Sequence, residues 1–381
     1  MKIAFLTSEF PHPKTGSSGG IGTSIMNLSQ GLVLAGHQVT LLIYNQDKDE
    51  VFEENGIIFH KIKNVKVKGF SRFFTQKKIE NLINVLVKKQ KIDLVEAADW
   101  TGITSFIQPN CPIIIRLHGS DTYFCHLDNR PVKWINRFHE NRALQKATAL
   151  LSVSQFTADL TKELFALKKD FTIIPNGIDT KKFDGFPEND ATQNYTILYF
   201  GTLIRKKGLL ELPLIFNEVY AKNNHAKLIL AGKDASDILT GSPSVWQMMQ
   251  PLFTNEALQN VSYLGIVSYE AIRKIIKDAA VCVFPTFAEA LPVSWIEAMA
   301  MQKAVVASNI GWAVEIIDDG TDGFLVHPKD HSEYAAKISE LLLNRELQRQ
   351  FGAAARKKVI KKFTNEVVAK QSADFYKTLI S

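Results

Sequence analysis

The chain has 381 residues and a mass of 42.7 kDa, too long for one ordinary domain and suited to two. It is 46% hydrophobic and 22% charged, the balance of a soluble globular protein rather than a disordered or membrane-embedded one. The net charge of +6 makes no case for nucleic acid but suits an anionic ligand or membrane surface, and three scattered cysteines (Cys111, Cys125, Cys282) suggest a reducing compartment and no zinc site.

The opening MKIAFLTSEF reads as a strand over 3–7 rather than a signal peptide, because Glu9 interrupts it and no small-residue cleavage site follows. No uncharged apolar run approaches the ~20 residues that span a bilayer, so a cytoplasmic location is expected. A Pro-, Gly- and Ser-rich loop from Ser8 ends in Gly19-Gly20-Ile21-Gly22, followed by a helix over 23–35 and a strand over 39–44. Strand, glycine turn, helix, strand opens a parallel doubly wound domain. A dinucleotide-binding dehydrogenase would start similarly, but the turn is too long, G-x-G-x-x-G is absent, and Asp47 or Asp49 gives only weak support. Gly20 and Gly22 better suit a backbone that approaches a ligand closely.

Residues 61–91 carry ten basic side chains (Lys61, Lys63, Lys66, Lys68, Arg72, Lys77, Lys78, Lys88, Lys89, Lys91) against one acid, Glu80, with Phe70, Phe73 and Phe74 among them. They fit either a solvated helix and loop or a face for an anionic membrane. Strands are expected over 92–96 and 112–117, with Trp100-Thr101-Gly102 opening a helix between them. His118 then stands at a strand's carboxyl end before Gly119, where open parallel sheets bind ligands. A further strand ends at Leu150–Ser154, and Pro175-Asn176-Gly177 turns the chain towards a polar linker at 181–193.

The second half repeats the pattern. A strand over 195–200 leads into Gly201-Thr202-Leu203-Ile204-Arg205-Lys206-Lys207-Gly208 and a helix. Cations before a helix N-terminus oppose its dipole, a placement that makes sense where a diphosphate docks. Strands follow at 226–232 and 263–267, the latter containing Gly265 and Ile266. The stretch VCVFPTFAEALPVSWIEAMA, 281–300, gives a buried strand, a loop with Glu289, and a helix opened by Pro292 that carries Glu297. The N–H groups of Leu291, Val293 and Ser294 at that helix start suit an anion. Glu315 is expected to start a helix; others are expected over 330–343, 345–360 and 364–379.

Glu289 and Glu297, eight apart and followed by Ala298-Met299-Ala300, together with Pro175-Asn176-Gly177 and Lys207-Gly208 in this order, resemble the retaining glycosyltransferases of family four. The resemblance covers nearly the whole chain. It implies an α/β fold of the GT-B type: two Rossmann-like doubly wound domains facing each other across a donor-binding cleft. These would be an acceptor domain at 1–180 and a donor domain at 194–363, with the last helix (364–381) packing back on the first domain. It implies sugar transfer from a nucleotide-sugar donor to a glycan or lipid-linked acceptor. Lys207 and the Pro292 helix start would stabilise the diphosphate in place of a metal, so no metal, Asp-x-Asp site or cofactor is expected. Thr202 stands where the family has arginine, and Arg205 is the candidate replacement. Glu289 would hold sugar hydroxyls, Glu297 the ribose, and His118 the sugar from the opposite domain. Gly20, Gly22 and Gly201 would line the donor, and Gly265-Ile266 the base. Trp312 replaces a family glycine, which changes the local loop. A GT-B epimerase and a non-catalytic nucleotide-sugar binding subunit are the alternatives.

Overall fold

The computed structural model describes residues 1–16, 18–184 and 194–380. The chain forms two compact units, Met1–Asp179 with Lys362–Ser381, and Thr180–Lys361. Of the linker expected at 181–193, residues 185–193 lie outside the described residues.

The first unit runs β1 (Lys2–Thr7), α1 (Gly20–Leu34), β2 (Gln38–Gln46), β3 (Glu50–Glu54), β4 (Ile57–Lys63), α2 (Ser71–Lys88), β5 (Leu94–Ala98), β6 (Ile113–Leu117), α3 (Asp121–Leu127), α4 (Trp134–Lys146), β7 (Ala149–Ser152), α5 (Gln155–Phe165) and β8 (Phe171–Ile173). Its sheet has the order β3-β4-β2-β1-β5-β6-β7-β8. Only the β3 edge pairs antiparallel. The inner strands are apolar because both faces are covered: Ile3, Phe5, Leu41, Leu94 and Ile114 pack on one side, and Leu6, Leu42, Val95, Ile115 and Leu117 on the other. Successive strands run outward to one side of β1 and then to the other, so the order reverses between β1 and β5. Ligands bind at the carboxyl ends of such switch points.

The second unit runs β9 (Thr196–Phe200), α6 (Leu212–Lys222), β10 (Lys227–Ala231), α7 (Val245–Met249), α8 (Asn255–Leu258), β11 (Val261–Tyr263), α9 (Tyr269–Asp278), β12 (Val281–Phe284), α10 (Val293–Ala300), β13 (Ala304–Ser308), β14 (Phe324–Val326), α11 (His331–Leu343) and α12 (Arg345–Lys362). Its all-parallel sheet is ordered β11-β10-β9-β12-β13-β14, so its switch point lies between β9 and β12. The last helix, α13 (Asn365–Ile380), belongs to the first unit and packs on α1, where Gly31 leaves room: a Cβ there would stand 2.7 Å from the Asn365 carbonyl oxygen. Tyr376 of α13 donates to Glu96 at 2.5 Å, and Glu96 is ion-paired at 2.8 Å with the equally buried Arg116.

Two of the expected helices do not form. Trp100-Thr101-Gly102 opens no long helix; it forms one 3-10 turn, broken by left-handed Thr101 (φ 54°) and Gly102 (φ 62°). Gly102 abuts the Glu140 amide, 2.5 Å from where its Cβ would stand. Glu315 ends a 3-10 turn, Gly311–Glu315, in which Trp312 is buried, instead of starting a helix.

The basic stretch is not one solvated face. Lys61 is buried on β4 with ion pairs to Asp47 (3.0 Å) and Glu50 (3.6 Å), partners distant enough in sequence to escape a local charge count. Lys78 pairs with Asp49 and Lys77 with Glu80. Arg72 turns inward to the Thr101 carbonyl. Lys88 sits at the far end of an 18-residue helix, roughly 26 Å from its start. What stays exposed at the near end is Lys66, Val67, Lys68 and Phe70, with Phe73 and Phe74 beside them.

Candidate active site

The second unit brings Lys207 and Glu289 together at its switch point. Lys207 follows β9, Glu289 follows β12, and Nζ stands 3.1 Å from Oε1. Two backbone bonds lash their loops: the Phe287 and Ala288 amides both donate to the Lys206 carbonyl, at 2.8 and 3.2 Å. Gly208 makes this possible. At φ 72° it lies so close to the β12 loop that a Cβ would stand 1.7 Å from the Pro285 carbonyl oxygen. Gly201 (φ 139°) passes below, with Lys207 Nζ 3.4 Å from its missing Cβ. Burial pushes Glu289 up, but the Lys207 and Lys206 charges outweigh it and hold the carboxyl below its ordinary range. Glu289 is therefore an ionised, clamped carboxylate.

The helix α10 begins at Val293, one residue later than expected, because Pro292 occupies the N-cap in extended conformation. Val293 and Ser294 are half-buried in its first turn, whose N–H groups have no intrahelical partners, and Leu291 is buried before it. Glu297, on the same helix, is 8% exposed and accepts a 3.3 Å hydrogen bond from the Tyr269 hydroxyl. Its carboxyl is pushed up to about 8, by burial first, against the Tyr269 bond and the Lys207 charge. Gly265 (φ 67°) has open space around it, and neighbouring Ile266 is 77% exposed.

Arg205 does not reach out from its loop. Its Nε and Nη2 make a bidentate pair with buried Asp237, at 2.7 and 2.8 Å, and Asp237 also accepts from Thr240. Asp237 lies in the insert after β10, which carries no periodic pattern, so nothing local in the sequence exposed this partner.

In the first unit, His118 follows β6, and its amide donates to Asp99 Oδ1 at 2.9 Å. Burial and then the Arg116 charge depress the imidazole to about 3, so it is neutral. Gly22 does not offer its amide to a ligand: that N–H donates to Glu9 Oε1 at 3.0 Å, inside the first turn of α1. Gly20, by contrast, has open space where a Cβ would stand. Glu9 and Asp99 are the polar residues that sequence reasoning missed; each stands just past a buried strand at the switch point, which is the signal that marks them. One Asp-x-Asp string does occur, Asp47-Lys48-Asp49, but its carboxylates are engaged by Lys61 and Lys78. Among the described residues, no group of three or more His, Cys, Asp or Glu could hold a metal ion, and no helix is long and apolar enough to cross a membrane.

Known structures share this architecture over the full chain. Sucrose-phosphate synthase of Thermosynechococcus elongatus superposes with a TM-score of 0.81 at 20% identity, covering 100% of this chain and 99% of that one. Anabaena HepE, in complex with UDP and glucose, superposes at 0.76 and 19% identity, with 100% of each chain covered. The fold is that of the GT-B glycosyltransferases. In sequence, the "Glycosyl transferases group 1" family matches residues 180–358 and "Glycosyltransferase Family 4" matches residues 18–182. An uncharacterised glycosyltransferase of Methanocaldococcus jannaschii is 26% identical over 99% of this chain and 98% of its own. The capsular polysaccharide biosynthesis glycosyltransferase CapM of Staphylococcus aureus is 25% identical over 63% of this chain and 64% of its own. The chain belongs to the group 1 glycosyltransferases.

Proposed function

We propose that this protein is a retaining, metal-independent hexosyltransferase that moves a sugar from a nucleotide-sugar to a glycan or lipid-linked acceptor in cell-surface polysaccharide or glycolipid synthesis. The observation that carries the proposal is the clamped Lys207–Glu289 pair at the switch point, near the N-terminus of α10. Departure of the diphosphate is the hard step, because negative charge builds on it as the sugar becomes oxocarbenium-like. Lys207 and the α10 amides stabilise that charge. Arg205 assists only by anchoring the loop through Asp237. Glu289 orients sugar hydroxyls, Glu297 accepts from the ribose, and neutral His118 offers a hydrogen bond to the sugar. No protein nucleophile is assigned; the family resemblance favours same-face attack assisted by the leaving phosphate. The UDP complex of HepE and the name of CapM support the donor and product classes. A thermal-shift screen with UDP-, GDP- and ADP-sugars tests the reading: one donor should raise the melting temperature, and a flat response to all would refute it.

Glu297 gives a pH-dependent prediction. Between its ordinary value of 4.5 and about 8 the folded chain holds a proton that the unfolded chain lacks. This group's contribution to stability therefore falls as pH rises through that window. Ribose hydroxyls favour the carboxylate, so nucleotide binding should release a proton near pH 7 and tighten towards pH 8. Calorimetry in buffers of different ionisation heat reads the release, which Glu297→Gln should abolish. Glu297→Ala should raise KM more than it lowers kcat; a pure kcat defect would contradict the ribose role.

A peripheral membrane contact is proposed for the first unit, at the inner face of the cell membrane. Phe70, Phe73 and Phe74 are 62%, 41% and 43% exposed beside Lys66 and Lys68. Phe73 touches Phe106 (5.9 Å), which touches Phe138 of α4 (6.3 Å), and Trp134 and Ile135 lie on the same exposed helix start. Each basic group contributes about 1 kcal/mol at an anionic surface, so the aromatic groups carry most of the binding. Co-sedimentation with phosphatidylglycerol vesicles should fall when Phe70 and Trp134 are changed to Ser, more than when Lys66 and Lys68 are changed to Gln. Wild type left in the supernatant at low salt would refute the contact.

A further inference from the structure

Arg72 is the least explained charge in the first unit. It sits in the first turn of α2, half-buried, with Nη2 on the Thr101 carbonyl and Nε buried without a partner. No ion pair engages it among the described residues. None of the nearby carboxylates is bonded to it among the described residues, although Asp99 Oδ2 is itself buried without a partner. Glu140, whose charge acts on Arg72, accepts from Asp121 N, Thr122 N and Thr122 Oγ. Glu9 accepts from Gly22 N, and Asp99 from His118 N.

Burial holds the Arg72 guanidinium below its ordinary range, only partly offset by Tyr44 and Glu140. His139 is held neutral, depressed to about 4 by burial and then by Arg72 and Arg142. Tyr44, at the end of β2, has a side-chain hydrogen bond with Ser8 and senses both Arg72 and Glu9. The turn that Arg72 grips is strained, because Thr101 adopts φ 54° without being glycine. A charge taken out of water costs free energy unless it is paired. Glu9, Tyr44, Thr101 and His118 stand at or just past the carboxyl ends of β1, β2, β5 and β6, across the switch point of the sheet, and Arg72 opens the helix that follows β4.

We propose that Arg72 is the anion-recognising residue of an acceptor subsite on the first unit, and that the acceptor presents a phosphate group there. This rests on the transferase reading. The guanidinium is a planar fork that suits phosphate oxygens. The phosphate could belong to a soluble sugar phosphate or to a lipid phosphate, the latter delivered beside Phe73 and Phe74, which follow Arg72 directly.

The test follows the Arg72 Nε–H resonance by NMR, assigned by its loss in Arg72→Gln, during titration with inorganic phosphate, glucose 6-phosphate or a polyprenyl phosphate in neutral detergent micelles. A saturable shift is expected, with chloride and glucose inert. Saturation at lower concentration by the sugar phosphate or by the polyprenyl phosphate identifies the source. Arg72→Gln should weaken phosphate binding about ten- to hundredfold, as loss of a charge-assisted bond does, and Lys207→Ala should leave it intact. If Arg72→Gln fails to fold, Arg72→Lys should fold and retain weaker phosphate binding. Absence of a saturable shift with all three ligands overturns the proposal. Donor binding measured on the same sample separates the two ideas: an intact donor shift with no phosphate response sinks only the subsite, whereas no donor response sinks the transferase reading itself.

Discussion

Replacing Lys207 by alanine is expected to lower turnover at saturating donor by about 10²–10³, the usual loss when one preorganised charge stabiliser is removed. The expectation rests on how the side chain is held. Nζ sits 3.1 Å from Glu289, over the Gly201 backbone, in a loop bonded to the loop of its partner. Such a cation is already in place when charge develops on the diphosphate and needs no reorganisation. Arg205 cannot compensate without leaving Asp237, a bidentate pair with a nearly buried carboxylate. Steady-state kcat with a melting curve as folding control checks this, and a near-normal kcat would remove Lys207 from the chemistry.

The second large effect belongs to Gly208. Gly208→Ala places a methyl group 1.7 Å from the Pro285 carbonyl oxygen, at φ 72°. The left-handed conformation costs about 1–2 kcal/mol for a non-glycine residue, and overpacking a further 1–3 kcal/mol or so. Because the obstacle is backbone, relief comes only by parting the two loops, which separates Lys207 from Glu289. The melting temperature should fall by roughly 10 °C, and the residual folded enzyme should lose activity as severely as Lys207→Ala. Retained activity in a folded Gly208→Ala protein would show that the loop contact is not what aligns the pair.

Much of this organisation was legible because parallel sheets buried on both faces write themselves as apolar runs, as in VCVF at 281–284 and IIIRL at 113–117. The punctuation around them was equally plain: Lys207-Gly208 and Glu289 each follow such a run, and the β9–β12 neighbour relation explains why they meet. What stayed hidden depends on distant partners. Asp47 and Glu50 neutralise Lys61 from neighbouring β-structure, Asp237 captures Arg205 across 32 positions, and Glu9 takes the Gly22 amide. Periodicity is silent about such pairings. The edge pair β3 and β4 and the helix α4 were also missed, since a run such as KIK at 61–63 looks like a solvated segment until its acids are seen.

The central claim is that the Lys207–Glu289 switch point activates a nucleotide-sugar. The direct measurement is release of nucleoside diphosphate from UDP-, GDP- and ADP-glucose in the presence of EDTA, by wild type and by Lys207→Ala, with the anomer of the freed sugar followed by NMR. The account predicts that wild type turns over one of the three donors, that the sugar first appears in the donor's own anomeric configuration, and that Lys207→Ala is slower by about 10²–10³. Equal rates for the two proteins, or no release from any donor, would contradict it.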